Sequence, residues 1–240
     1  MSIEAIKHAA DRWLGQKPSD RAQAGPELIA ICDRAIRELV TRLQSLGYPV
    51  EPMLVPCADL DAVIAELEEA GPPLPPALAE VWRWIGEISL VDLDGYRHMS
   101  FWEDRVGGDA RVFACDGVVV YAPHDDDGWT DYVIDLLHEQ AEIGVAQAFP
   151  ISPDSLHKDN TSGGDSYELV PNADDAWMAS LRAFSWDGPL RPQSAPGAST
   201  PDLVSYLRTA ILECGGFPGL YGSAGFEPIR RELVQGLPVF

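Results

Sequence analysis

Apolar residues recur every three or four positions between Pro26 and Gly47, and this long series constrains the fold more than any other feature of the sequence. The series is Leu28, Cys32, Ile36, Leu39, Leu43 and Leu46. Such spacing is typical of one face of an α-helix, for which Pro26 suits the first position and Gly47 and Pro49 form the stop. This apolar face needs a hydrophobic surface to cover it. We therefore predict one continuous domain over residues 1–240, with a helical extension at 1–70 and a core at 71–240.

Other segments give shorter patterns. Helical spacing predicts helices over 2–14, 59–70, 202–214 and 227–235, and a further helix after Pro76 that ends at Gly86. The proline-rich segment 71–76 predicts a rigid turn. Strands are predicted at 87–91, 111–114, 118–121 and 166–170, with a hairpin turn at Asp116-Gly117. Residues 130–138 fit a strand or a helix, and we favour a strand, while 187–201 has the composition of a flexible loop.

The order of these elements predicts the fold class. Helices come first, a block of strands follows, and helices return at the end of the chain. Alternating strands and helices would indicate a parallel sheet, whereas this segregated order is typical of an α+β fold. We therefore predict an α+β domain without internal repeats.

Charge narrows the classes of partner. The chain has 17 Lys and Arg against 38 Asp and Glu, which gives a net charge of −21. Phosphate binding needs clustered basic residues, so nucleic acid and anionic membranes are disfavoured as partners. An acidic chain attracts basic partners over long range. The hydrophobic fraction of 46% is sufficient for a packed core.

The cysteines and the first residues indicate the compartment. Cys32, Cys57, Cys115 and Cys214 are widely spaced and form no CxxC pair, which argues against a zinc site or a disulfide framework. The sequence begins with a segment that mixes charged and apolar residues and has no secretory h-region. We therefore expect a cytoplasmic protein with reduced thiols.

A search for catalytic or cofactor-binding patterns gives only weak candidates. The segment around Ser223 misses the G-x-S-x-G spacing of a serine hydrolase by one residue. Cys115 is followed by His124 and Asp125, and these residue types could form a Cys-His-Asp catalytic triad. The run at 124–127 lacks the spacing and closing glutamate of a calcium loop. No phosphate-binding glycine motif occurs. We predict no cofactor and no metal, and the residues alone show no catalytic constellation. A hydrolase that uses Cys115 or a carboxylate pair is a minor alternative.

Three segments in order resemble the SUKH superfamily. The first, LPPALAEVWRWIGEISL at 74–90, resembles the opening segment of that superfamily. The second, HKDNTSGGDSYELVP at 157–171, resembles a segment of bacterial proteins placed near it. The third combines SYLR at 205–208 with GGFPG at 215–219 and resembles their ending. Asn160 and Thr161 depart from the second pattern, and Ile85 and Glu87 depart from the first.

The resemblance implies both a fold and a function. It implies N-terminal helices packed on a twisted, mainly antiparallel sheet, with further helices at the C-terminus. It also implies a non-enzymatic immunity protein that binds and neutralises a toxin of nuclease or deaminase type. Fungal relatives act as regulators through protein contacts, so a regulatory or scaffold protein with an endogenous partner is the alternative.

Two groups of residues are candidates for the partner surface. Asp125, Asp126 and Asp127 form an acidic tip beside Trp129, which we interpret as an aromatic anchor. The second group comprises His157, Asp159 and Asn160, which belong to the second segment of the resemblance. We expect a protein partner with a basic surface, and a chain that is a monomer or a weak homodimer.

Overall fold

The first part of the chain is helical. The computed structural model describes residues 3–52, 54–92, 97–107, 117–123, 128–152, 166–184 and 201–240. Helix α1 spans Ile3–Leu14, as predicted, and α2 spans Pro18–Ser45. The predicted start of α2 at Pro26 is wrong, because the helix begins with Pro18 in its first turn and continues through Pro26. A single proline removes one helical hydrogen bond, and the tertiary contacts of α2 outweigh that loss here.

Two shorter helices follow and confirm the predicted ones. Helix α3 spans Leu60–Ala70 and α4 spans Pro76–Trp84, with the proline-rich turn between them. Pro76 occupies the first turn of α4, where a missing N–H costs little. The chain leaves α4 through Gly86, whose φ of 80° is a left-handed conformation that favours glycine.

The strands form two small antiparallel sheets instead of one dominant twisted sheet. Strand β1 (Ile88–Ser89) pairs with β2 (Val119–Val120), and Ile88 lies opposite Val120. The second sheet has the order β3-β4-β5, formed by Phe149–Pro150, Ser166–Val170 and Ser180–Phe184. Strand β4 was predicted, whereas β3 and β5 were not. The predicted strand at 111–114 and residue 116 of its hairpin turn lie outside the described residues.

Helices dominate this α+β fold, and one of them replaces a predicted strand. Helix α5 spans Arg97–Val106 and was not predicted, while α6 spans Trp129–Glu142. The strand favoured at 130–138 is therefore wrong. Trp129, Val133, Leu136, Leu137 and Gln140 are buried at intervals of three and four residues. This is the helical period, and it outweighs the strand preference of Tyr132, Val133 and Ile134.

The C-terminal segment is helical, as predicted. Helix α7 spans Leu203–Arg208 and continues as a π-helical turn over Thr209–Glu213, and α8 spans Glu227–Val234. Asp202 caps α7 by accepting a hydrogen bond from the backbone N–H of Ser205. Short 3₁₀ turns occur at Ala176–Met178 and Pro218–Leu220. Most of the predicted loop at 187–201 lies outside the described residues.

One hydrophobic cluster contains buried residues from α1 to the last residue, from Ile6 to Phe240. Its centre is aromatic: the rings of Tyr48, Phe101, Trp102, Phe217 and Phe226 contact one another, mainly edge to face. Such pairs add to the stabilisation from burial alone. The hydrophobic cluster includes buried residues of α3 and α6 and therefore fixes the position of both helices.

Candidate functional site

The structure describes one of the seven residues predicted for the partner surface. Asp125, Asp126, Asp127, His157, Asp159 and Asn160 lie outside the described residues, as does Cys115. Their assignment therefore stays a prediction. Trp129 is described, and it begins α6.

Trp129 lies inside the protein. Its side chain is buried, with a residue exposure of 4%. The indole ring lies 4.7 Å from the ring of Tyr121, edge to face, and 5.5 Å from the ring of Tyr132, in a stacked arrangement. These contacts fix the first turn of α6 against the end of β2. Trp129 therefore supports the start of α6 from within the fold.

Helices α3 and α6 pack side by side. Leu67 of α3 and Val133 and Leu137 of α6 belong to the hydrophobic cluster and are almost fully buried. At the end of α3 the approach is tight, since a Cβ added at Gly71 would lie 2.9 Å from the Leu137 Cδ1 atom. Glycine at this position lets the chain pass over Leu137 without displacing it. The exposed sides of the two helices are therefore neighbours on the surface.

The exposed surface of these two helices is strongly acidic. Each helix contributes four carboxylates, which makes eight, and all eight residues are exposed. We call this surface the acidic face; its residues are Asp61, Glu66, Glu68, Glu69, Asp131, Asp135, Glu139 and Glu142. Neither helix contains a lysine or an arginine. Arg83 of α4 reaches Asp61 at the start of α3, at 3.2 Å.

Four of these carboxylates lie at the C-terminal ends of the two helices, where the helix dipole is unfavourable for negative charge. Glu68 and Glu69 are in the last turn of α3, and Glu139 and Glu142 are in the last turn of α6, where neither helix has a basic residue. The carbonyl ends of helices carry partial negative charge, so acidic side chains there destabilise the helix slightly. A bound cationic group would remove this repulsion. This arrangement is therefore better suited to binding than to stability.

Sequence analysis missed the acidic face. The carboxylates of α6 recur at 131, 135, 139 and 142, which is a helical period that the strand interpretation of this segment concealed. Those of α3 were visible in the predicted helix. Their proximity to α6 is a tertiary contact between segments about 70 positions apart in the chain, and no local pattern encodes it.

Two buried titratable groups outside α3 and α6 have perturbed pKa values. His98 is buried, and burial lowers its pKa to about 4 against the opposing effect of the Asp92 charge. Burial also raises the pKa of the Cys32 thiol, with a smaller contribution from Asp33, which keeps the thiol protonated and unreactive. Within the described ranges, no group of three or more His, Cys, Asp and Glu residues could hold a metal ion. No helix there combines the length and apolar character needed to cross a bilayer.

Comparisons of the chain with models of known protein families, with curated proteins and with solved structures found no match. The resemblance to the SUKH superfamily therefore depends on the three sequence segments alone. The dominant twisted sheet that it implies is not the architecture observed, since the two sheets are small and helices prevail.

Proposed function

We propose that this chain is a non-enzymatic binding protein that captures a basic partner protein through its acidic face. The observation that supports this most strongly is the concentration of eight exposed carboxylates on two adjacent helices without lysine or arginine. Charged residues of both signs are normally interspersed on a protein surface. A surface of one sign favours the encounter with partners of the opposite sign.

Electrostatic attraction acts first on the rate of association. The net charge of −21 gives the whole molecule a negative field, and the acidic face concentrates it. Steering of this kind raises association rates by about 10- to 1,000-fold and weakens as salt is added. A partner held in this way binds fast at low ionic strength and slowly at high ionic strength.

A toxin domain is the partner class that the sequence resemblance supports. Nucleases and other enzymes that act on nucleic acids carry clustered Lys and Arg for the phosphate backbone. Carboxylates on a rigid surface can occupy the same basic cleft as phosphates and thereby block it. Under this proposal the chain protects its host by covering the active cleft of a basic toxin.

Co-production with the neighbouring gene product tests the proposal. A basic protein encoded beside the gene for this chain is produced in a bacterial host, alone and together with the chain, and growth is recorded. We expect the protein to stop growth alone and the chain to restore it. If the neighbouring product is harmless, or if it stays toxic when the chain is present, the neutralising role is wrong.

Two matched variants test the role of the acidic face in the same assay. The acidic-face variant carries Glu66→Gln, Glu69→Gln, Asp135→Asn and Glu139→Gln. The matched control has the same change in net charge at exposed carboxylates elsewhere: Glu4→Gln, Glu27→Gln, Glu103→Gln and Asp104→Asn. We expect the control to restore growth and the acidic-face variant to fail. Equal protection by both variants would contradict the proposal.

A further inference from the structure

An apolar groove lies at the end of the acidic face. Its volume is about 770 Å³, which is within the usual range of about 300–1,000 Å³ for ligand pockets. We call it the proline groove. Its described lining comes from the proline-rich turn after α3, from the loop after α6 and from the segment after β4, and includes Pro73, Leu74, Ala146, Pro171, Ala173 and Ala176.

Exposed apolar side chains continue the groove toward α6. Ile143 and Val145 follow the last residue of α6 and are 67% and 39% exposed. They immediately precede Ala146 and Gln147, which line the groove. Large exposed aliphatic residues next to an apolar groove are typical of an interaction surface.

The electrostatic environment of the groove is negative. Glu68 lines it, and the Glu68 Oε1 atom accepts a hydrogen bond from the backbone N–H of Leu74 at 3.0 Å. Helices α3 and α6 both end at the groove, because the residues that follow each helix line it. None of the described lining residues is basic. One carboxylate and the C-terminal ends of two helices therefore adjoin an apolar floor.

We propose that the proline groove binds a short segment of the partner protein in which an apolar side chain is flanked by lysine or arginine. The apolar side chain would lie on the proline and alanine floor, and the basic residues would reach Glu69, Glu139 and Glu142. This inference depends on the proposed function and specifies the part of the partner that is recognised. A second copy of this chain is a poor occupant, because two molecules of charge −21 repel each other.

Selection from a phage-displayed library of random short peptides tests the inference. The library is selected against the wild-type chain, and enriched peptides are then titrated as soluble labelled probes. We expect the enriched peptides to combine an apolar residue with neighbouring Lys or Arg. Peptides that lack basic residues, or no enrichment at all, would overturn the inference.

In the second experiment, a bulky side chain is introduced to fill the groove. Ala173→Trp and, separately, Ala176→Trp place an indole in the groove at exposed positions, and Ala22→Trp is the matched control on the exposed side of α2. Circular dichroism verifies that each variant is folded. We expect either filled variant to weaken the selected peptides about tenfold or more, since the apolar contact is lost, while Ala22→Trp leaves affinity unchanged. Unchanged affinity in both filled variants would overturn the inference.

Peptide binding and toxin neutralisation by these variants distinguish the groove inference from the proposed toxin-neutralising function. The acidic-face variant should weaken the peptides about tenfold, as expected for the loss of several exposed ion pairs, and the matched control should not. If neutralisation of the toxin requires the acidic face but survives Ala173→Trp and Ala176→Trp, the groove inference fails and the proposed function stands. If the peptides bind as expected and no toxin is neutralised, the toxin role fails and the groove remains a binding site.

Discussion

Arg21 and Asp175 form a buried ion pair between residues 154 positions apart in the sequence. The Arg21 Nε donates to the Asp175 Oδ2 at 2.8 Å, and an Arg21 terminal nitrogen donates to the carbonyl oxygen of Trp13 at 2.9 Å. This one side chain therefore connects α1, α2 and the 3₁₀ turn after β4. Trp13 and Trp177 meet edge to face beside it, with ring centroids 6.0 Å apart.

Removal of the arginine should destabilise the fold strongly. We expect Arg21→Met to lower the free energy of unfolding by about 3–5 kcal/mol, because the carboxylate of Asp175 stays buried without its partner. Arg37→Met is the control: its pair with Asp33 is within one helix and partly exposed, and i,i+4 pairs contribute about 0.3–0.5 kcal/mol. Urea titration followed by circular dichroism measures both. An equal decrease in the free energy of unfolding in the two variants would show that the buried pair is unimportant for stability.

Gly86 should tolerate no side chain. It has a φ of 80°, and a Cβ there would lie 1.8 Å from the Val55 carbonyl oxygen. Gly86→Ala should therefore lower the free energy of unfolding by considerably more than the roughly 1–2 kcal/mol expected for a non-glycine residue in the left-handed conformation without a clash. Gly144→Ala, at a φ of 73° in open space, should show only that smaller cost. Thermal unfolding of both variants tests this, and similar melting temperatures would contradict it.

Burial of His98 predicts a dependence of stability on pH. Its Nδ1 accepts a hydrogen bond from the backbone N–H of Asp92 at 3.0 Å, and burial lowers its pKa from 6.5 to about 4. The unfolded chain takes up a proton below pH 6.5, whereas the folded chain does so only near pH 4. The stabilisation is therefore complete above pH 6.5 and decreases as the pH falls, by up to about 3 kcal/mol.

The variant His98→Asn keeps an acceptor for the Asp92 N–H and cannot titrate. The change in unfolding free energy between pH 6.5 and 4 should be smaller in this variant than in the wild type. The exposed His138→Asn serves as control and should behave as the wild type does. Identical pH profiles for the wild type and His98→Asn would contradict this explanation.

Trp129 should contribute more to folding than to a partner contact. Trp129→Ala removes a buried ring that contacts Tyr121 and Tyr132, and should cost about 3–5 kcal/mol. Trp129→Phe keeps an aromatic ring in the cavity and should fold and capture the partner as the wild type does. Trp84→Ala, which removes a half-exposed indole, is the stability control. Loss of partner capture by a well-folded Trp129→Phe would restore the anchor interpretation.

Local patterns predicted most of the helices, strand β4, and the segments that contain β1 and β2. The apolar series of α2 and the glycine stops of α3 and α4 are local signals, and the structure confirms those helices. The start of α2 was wrong because its first two turns are stabilised by distant partners, among them Asp175 and Trp177. At Gly25, a Cβ would lie 2.2 Å from the Trp177 ring, a contact that no sequence period reveals.

Strands and the candidate surface were harder to predict. Strands β1 and β2 lie within the strands predicted at 87–91 and 118–121 but are only two residues long. Strand β3 is too short to show an alternation, and both β3 and β5 were missed. The acidic face needs α3 and α6 to be neighbours, which follows from the packing of the two helices and from the absence of a side chain at Gly71, beside Leu137. The sequence predicted an acidic partner surface on residues 125–127, which lie outside the described residues, so that placement stays a prediction.

Capture of the partner from a lysate of the chain's own host tests the central claim most directly. Tagged wild-type chain, the acidic-face variant and the matched control are used in parallel, washed at low and then moderate salt, and the bound proteins are identified by mass spectrometry. The account predicts a basic protein on the wild type and the matched control, released by moderate salt because screening weakens the attraction, and absent from the acidic-face variant. Capture of the same proteins by the acidic-face variant and the wild type would contradict it.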